Sequence, residues 1–174
     1  MRSLGTQNKL GLSDTDKGAY FSPDRKHRFM LWRKLGKGPG IMFIGLNPST
    51  ANEVNDDPTV RRCMGYARDW GYGDFWMCNL YSLCSSDPKK LYKGEHPQSP
   101  YNITSLGVVR EKVDLAIVAW GNHGATVQMD QHWPRSLVKL LSPVHCFGVT
   151  KQGEPKHPLY LPKDAEIVPF RYGE

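Results

Sequence analysis

The feature that most constrains this chain is the apolar run Ile41-Met42-Phe43-Ile44, which stops abruptly in Gly45-Leu46-Asn47-Pro48-Ser49-Thr50. The run predicts a buried strand. Gly45 gives the backbone freedom to turn, and Pro48 ends the ladder because its ring fixes φ and it has no N–H to donate. Asn47 is thereby placed on the rim of a sheet, where open α/β folds keep their ligand sites.

The same punctuation recurs along the chain. Phe75-Trp76-Met77-Cys78-Asn79-Leu80 predicts a second strand that ends at Asn79. Val113 to Trp120, closed by Gly121, predicts a third, and Val144 to Val149, followed by Thr150-Lys151, a fourth. Ile167 to Phe170 reads as a last edge strand. Helical signals lie between them. Asp57 is an N-cap with Pro58 at the first helical position, and Val60, Cys63, Met64, Ala67 and Trp70 recur at helical spacing before Gly71. Asn102 to Lys112 and Pro134 to Leu141 read as two further helices. Near the start, 19–22 and 27–32 flank Pro23-Asp24 and suggest a hairpin covering one sheet edge. Residues 1–18 are polar and glycine-containing and are expected to form a flexible segment, leaving 19–174 as a single α/β domain. Strands alternating with helices argue a three-layer α/β sandwich with a mostly parallel central sheet. Right-handed crossovers then bring Asn47, Asn79, Trp120-Gly121 and Thr150-Lys151 to one rim.

A formal net charge of +6 suits an anionic partner such as nucleic acid. The basic residues gather in two places, Arg25-Lys26-His27-Arg28 with Arg33, Lys34 and Lys37, and Lys151 to His157 with Lys163. No apolar run reaches membrane-span length, and the first residues lack the apolar core of a signal peptide, so the expectation is a cytoplasmic protein with no membrane partner. Cys63, Cys78, Cys84 and Cys146 show no C-x-x-C spacing, and no metal site or cofactor is expected. Three of them read as apolar fillers, with Cys84 in a loop.

Two resemblances follow from these motifs. Asn-Pro-Ser-Thr-Ala from Asn47, Asp-Asp-Pro-Thr from Asp56, Asn-Leu-Tyr from Asn79, Ala-Trp-Gly from Ala119, and the stretch Thr150-Lys151 through His157-Pro158-Leu159-Tyr160 together resemble the bacterial and phage family known as domain of unknown function 1643. More distantly, Gly45-Leu46-Asn47-Pro48-Ser49, Asn79 and His157-Pro158-Leu159, in that order, resemble motifs of the uracil-DNA glycosylase superfamily. That second resemblance implies its fold and a monofunctional hydrolysis of an N-glycosidic bond. Asn47 would position the attacking water and His157 would stabilise the departing base. Gly45, Leu46, Pro48 and Asn79 would hold the base. Ser49, Lys151, Lys156, Leu159 and Tyr160 would contact nucleic acid, most simply DNA, or a nucleotide. Leu159 stands where the superfamily has a phosphate-contacting serine, and Tyr66 and Tyr81 are the aromatics available for stacking. Three other readings use the same residues: a non-catalytic nucleotide-binding module, a metal-dependent hydrolase built on Asp56, Asp57 and a histidine, and acyl transfer by Cys84 or Ser49. Oligomeric state is not legible.

Overall fold

The structure, a computed structural model, describes residues 15–92, 98–125 and 132–172. Most of the segment expected to be flexible lies outside them. Strand β1 (Lys17–Phe21) begins two residues before the expected domain boundary.

Seven strands form one sheet. After β1 come β2 (Arg28–Lys34), β3 (Gly40–Gly45), β4 (Asp74–Asn79), β5 (Leu115–Val118), β6 (Val144–Cys146) and β7 (Val168–Phe170), in the spatial order β1-β2-β4-β3-β5-β6-β7. The four central strands, β4-β3-β5-β6, are mutually parallel. The expected hairpin is present, with β1 at the sheet edge, but β2 joins β4 antiparallel, as does β7 with β6. The sheet is therefore mixed rather than mostly parallel. A parallel return needs a crossover of a dozen or more residues, usually a helix. Between β6 and β7 the chain forms only a short 3-10 turn, Pro158–Tyr160, and comes back antiparallel.

Among the described residues three α-helices cover the sheet: α1 (Pro58–Asp69), α2 (Pro100–Arg110) and α3 (Trp133–Leu141). Every residue of β3 is buried, because the strand is packed on both faces. Ile41 and Phe43 meet Val60, Cys63, Met64 and Ala67 of α1. Met42 and Ile44 share the opposite core with Leu106 and Val109 of α2 and Leu137 and Leu141 of α3. The period-two alternation of β3 thus divides one apolar run between two cores. Among the described residues, no helix is long and apolar enough to cross a membrane.

The order of the parallel strands fixes the place for a ligand. From β3 the chain passes through α1 to β4 on one side, then through α2 to β5 on the other. The strand order reverses there, between β3 and β5, and such a switch point opens a crevice at the carboxyl ends of the strands.

Two glycines test this packing from opposite sides. A Cβ on Gly73 would stand 2.5 Å from the backbone nitrogen of Gly38 and 2.7 Å from the carbonyl oxygen of Gly36. Gly65, inside α1, has nothing within 4 Å of such a Cβ. Chemical denaturation should show Gly73→Ala destabilising by about 1–3 kcal/mol and Gly65→Ala stabilising by up to about 1 kcal/mol. Equal effects of the two would contradict the backbone contact at Gly73.

Candidate active site at the strand carboxyl ends

A cleft of about 430 Å³ occupies the expected crevice, a volume in the range of small-ligand pockets. It gathers Gly45, Leu46, Asn47 and Ser49 after β3, Asn79 at the end of β4, Trp120 and Gly121 after β5, and His157 and Tyr160 after β6. Asn47, Asn79 and His157, three residues far apart in sequence, therefore share one cavity. Pro48 is buried behind it, while Lys151, Lys156 and Leu159 are exposed and do not line it.

Local structure explains each placement. Asn47 donates from Nδ2 to the carbonyl oxygens of Ser85 (2.8 Å), Pro48 (3.0 Å) and Leu83 (3.3 Å). Three carbonyls around one end of an amide require that end to be the NH2 group. Oδ1, the acceptor, is left to the cleft. Asn79 is oriented in the opposite sense. Its Oδ1 accepts from Arg28 Nη2 at 3.1 Å, so Nδ2 is the atom turned toward Gly45. A Cβ on Gly45 would sit 3.1 Å from that Nδ2 and 2.9 Å from Met77 Cε. Gly45 is thus needed for close approach by its neighbours, and its φ is not in the left-handed region.

His157 reaches the cleft because the chain after β6 doubles back. Val149 bridges Pro155, and Thr150 N–H donates to the Glu154 carbonyl at 2.8 Å. Gly121 N–H donates to the Pro155 carbonyl at 2.9 Å, which ties this hairpin to the end of β5. Gly121 takes φ +70°, and a Cβ there would lie 3.5 Å from that of His157. The buried carboxylate of Glu154 completes the latch by accepting from Trp120 Nε1 and from the Tyr172 hydroxyl, both at 2.8 Å. It holds the Trp120 indole as a fixed apolar wall, and burial together with Glu154 pushes the Tyr172 phenol up.

His157 Nδ1 accepts from the Leu159 N–H at 3.3 Å, capping the Pro158–Tyr160 turn. Nε2 therefore carries the proton of the neutral ring. Burial lowers the pKa of His157 below its ordinary 6.5, opposed in part by the charge of Asp57. The ring is a neutral donor at pH 7.

Two residues of the cleft were read differently from the sequence. Arg28, grouped there with a basic surface, is buried beneath the cleft and lines it. β2 is buried on both faces from Arg28 through Leu31, so the apolar run Phe29-Met30-Leu31 beside Arg28 was the available signal. Asp57 is the N-cap of α1, with Oδ1 accepting from Val60 N–H at 2.8 Å, and among the described residues it is also the only acid lining the cleft. The aromatics differ as well. Tyr66 and Tyr81 are core residues, Tyr66 donating to the Pro162 carbonyl at 2.6 Å. Tyr160, 85% exposed, stands at the mouth of the cleft instead, its ring centroid 6.1 Å from that of His157.

Much of the first basic cluster is paired with acids of the same chain, at the surface for Arg25 and Lys34 and with a buried side chain for Arg33. Arg25 pairs with Glu53 at 2.8 Å, Arg33 with Asp56 at 2.7 Å and Lys34 with Asp74 at 2.6 Å. Asp56 is thereby committed to Arg33, and among the described residues no three His, Cys, Asp or Glu side chains gather as metal ligands. Cys63 and Cys146 are buried, burial pushes the Cys78 thiol up to about 12, and the half-buried Cys84 thiol is also raised by burial. These are poor nucleophiles.

A family model described as "Protein of unknown function (DUF1643)" matches residues 28–159, and the chain belongs to that family. The matched span contains every residue that lines the cleft except Tyr160. No curated protein and no solved structure matches the chain.

The state of His157 has a measurable consequence. With a folded pKa below 6.5, its contribution to stability is fully present above that pH and is lost as pH falls through the folded value. Nitrogen NMR at pH 7 should show the Nε2–H tautomer, titrating below pH 6.5, and His157→Ala should remove this part of the acid loss of stability. A midpoint above 6.5 would contradict the geometry.

Proposed function

We propose that the cleft binds a nucleic-acid base or nucleotide and hydrolyses its N-glycosidic bond. The observation that carries this reading is the convergence of Asn47, Asn79 and His157 on one nucleotide-sized cavity at the switch point of the sheet. Asn47 Oδ1, unable to rotate away because its Nδ2 is held by three carbonyls, accepts a hydrogen bond from a water and aims it at the anomeric carbon. As the water oxygen bonds to that carbon, the carbon–nitrogen bond breaks and its electron pair moves onto the base. His157 donates from Nε2 to the charge that builds there, as a preorganised donor in a water-poor site. An asparagine amide cannot take the water's proton, and Asp57, the one carboxylate that lines the cleft among the described residues, is the group for that step. Among the described residues no lysine lines the cleft, which favours water over an enzyme amine as nucleophile and hence a monofunctional reaction. Exposed Lys151 and Lys156, on the loop that carries His157, suit contacts to phosphate.

A non-catalytic binding module is the second reading, favoured by the work Asn47 Nδ2 already does in fixing the loop at 83–85. The two part on chemistry. The purified protein is incubated with oligonucleotides carrying a panel of normal, deaminated and modified bases, and abasic sites are revealed by alkali. Base release without a borohydride-trapped adduct is expected. Asn47→Ala should lower the rate by roughly tenfold to a thousandfold. Asp57→Asn should lower it by a similar factor while keeping the helix cap, since asparagine caps as well as aspartate. Full activity in Asp57→Asn would remove Asp57 from the mechanism. Failure to release any base would leave the binding module.

A further inference from the structure

Arg28 is a cation sealed under the cleft with little to hold it there. The residue is 1% exposed. Nη1 donates to the Ala51 carbonyl at 2.9 Å and Nη2 to Asn79 Oδ1 at 3.1 Å, while Nε is buried without a partner. Both acceptors are neutral. Asp57 attracts the guanidinium through space, yet no carboxylate of the described residues pairs with it. Arginine stays charged even when buried, and a buried charge is costly without a matching partner. The floor of the cleft is therefore positive, and one of its two polar atoms on Asn79 is already used.

An asparagine facing a base can ordinarily offer both an acceptor and a donor. Here the acceptor is committed to Arg28. A ring N–H approaching the remaining lone pair would bring its hydrogen toward the guanidinium. Asn79 Nδ2 carries no hydrogen bond from the described residues, and His157 presents Nε2–H to the same space. What Asn79 and His157 offer a base edge is a pair of donors over a positive floor, the acceptors Asn47 and Asp57 being assigned to the sugar side.

Resting on the reading of the cleft as a base site, we infer that its preferred ligand is a base whose inner edge offers two adjacent acceptors with no N–H between them. Cytosine, through N3 and O2, and guanine, through O6 and N7, fit that description. Uracil and thymine, with an N–H between two carbonyls, do not. The same arrangement makes Arg28 a positioning residue: it sets which atom of Asn79 meets the base, and its charge favours a base that leaves as an anion.

The test uses the full chain and single strands of tetrahydrofuran abasic residues with one central 2′-fluoro-arabino nucleotide carrying cytosine, guanine, uracil or thymine. The fluorine opposes positive charge at the anomeric carbon and so suppresses cleavage. Single strands avoid the cost of unpairing. A fifth strand carries the abasic residue at the central position as well. Fluorescence anisotropy should show cytosine or guanine bound about tenfold or more tightly than uracil and thymine. Arg28→Met should abolish that preference. Asn79→Asp, which gives Arg28 a carboxylate partner and discharges the floor, should abolish it as well, and it serves if Arg28→Met does not fold. Uracil or thymine binding above the abasic strand, with cytosine and guanine no better, overturns the edge rule and leaves the base site standing. All four equal to the abasic strand overturns both. A preference that survives in Asn79→Asp overturns the reading of the base by Asn79, and one that survives in Arg28→Met overturns the part assigned to Arg28.

Discussion

The guanidinium of Arg28 ties together three segments at the rim of the sheet. It leaves β2, takes the Ala51 carbonyl in the loop after β3, and takes Asn79 Oδ1 at the end of β4. Removing a cation from water costs several kcal/mol even after relaxation. The return is geometric: a fixed loop and a fixed amide at the rim. The hairpin strand added antiparallel to the parallel core is in this sense part of the cleft, because it supplies the floor. Gly45 completes the arrangement, since a side chain there would meet Asn79 Nδ2 at 3.1 Å.

Asn47 and Asn79 are set in the cleft with opposite polarity. Carbonyls of Pro48, Leu83 and Ser85 hold the nitrogen of Asn47 and leave its oxygen outward. Arg28 holds the oxygen of Asn79 and leaves its nitrogen outward. One residue type thus supplies an acceptor where a water is to be held and a donor where a base edge is to be read. His157 adds a donor and Asp57 a carboxylate. Each is also a cap, His157 on the Pro158–Tyr160 turn and Asp57 on α1, so the groups proposed for chemistry are fixed by backbone hydrogen bonds of their own. Such preorganisation is what electrostatic stabilisation of a transition state requires.

Much of this was legible in the residues, for identifiable reasons. β3 and β4 are apolar runs ended by glycine, asparagine and proline, so both the strands and the rim residues after them could be placed. Asp57-Pro58 marked the start of α1 to the residue. The direction of the edge strands was hidden because it is set by remote pairing: Trp32 with Trp76, Lys34 with Asp74, Val144 with Phe170. Arg28 and Asp57 were hidden for another reason. A charge run reads as a solvated face and an N-cap as structure, and only three-dimensional placement shows that both also border a cavity. The neighbouring charges Arg25, Arg33 and Lys34 were likewise spent on partners 28, 23 and 40 positions away.

The account stands most directly on where a base sits when one is bound. A crystal structure of the protein with a single-stranded oligonucleotide carrying one 2′-fluoro-arabino cytosine would decide it. The account predicts the cytosine edge against Asn79 Nδ2 and His157 Nε2, Arg28 beneath it, and the anomeric carbon facing Asn47 Oδ1 across one water. A base bound outside the cleft, or bound inside with its sugar turned away from Asn47, would contradict it.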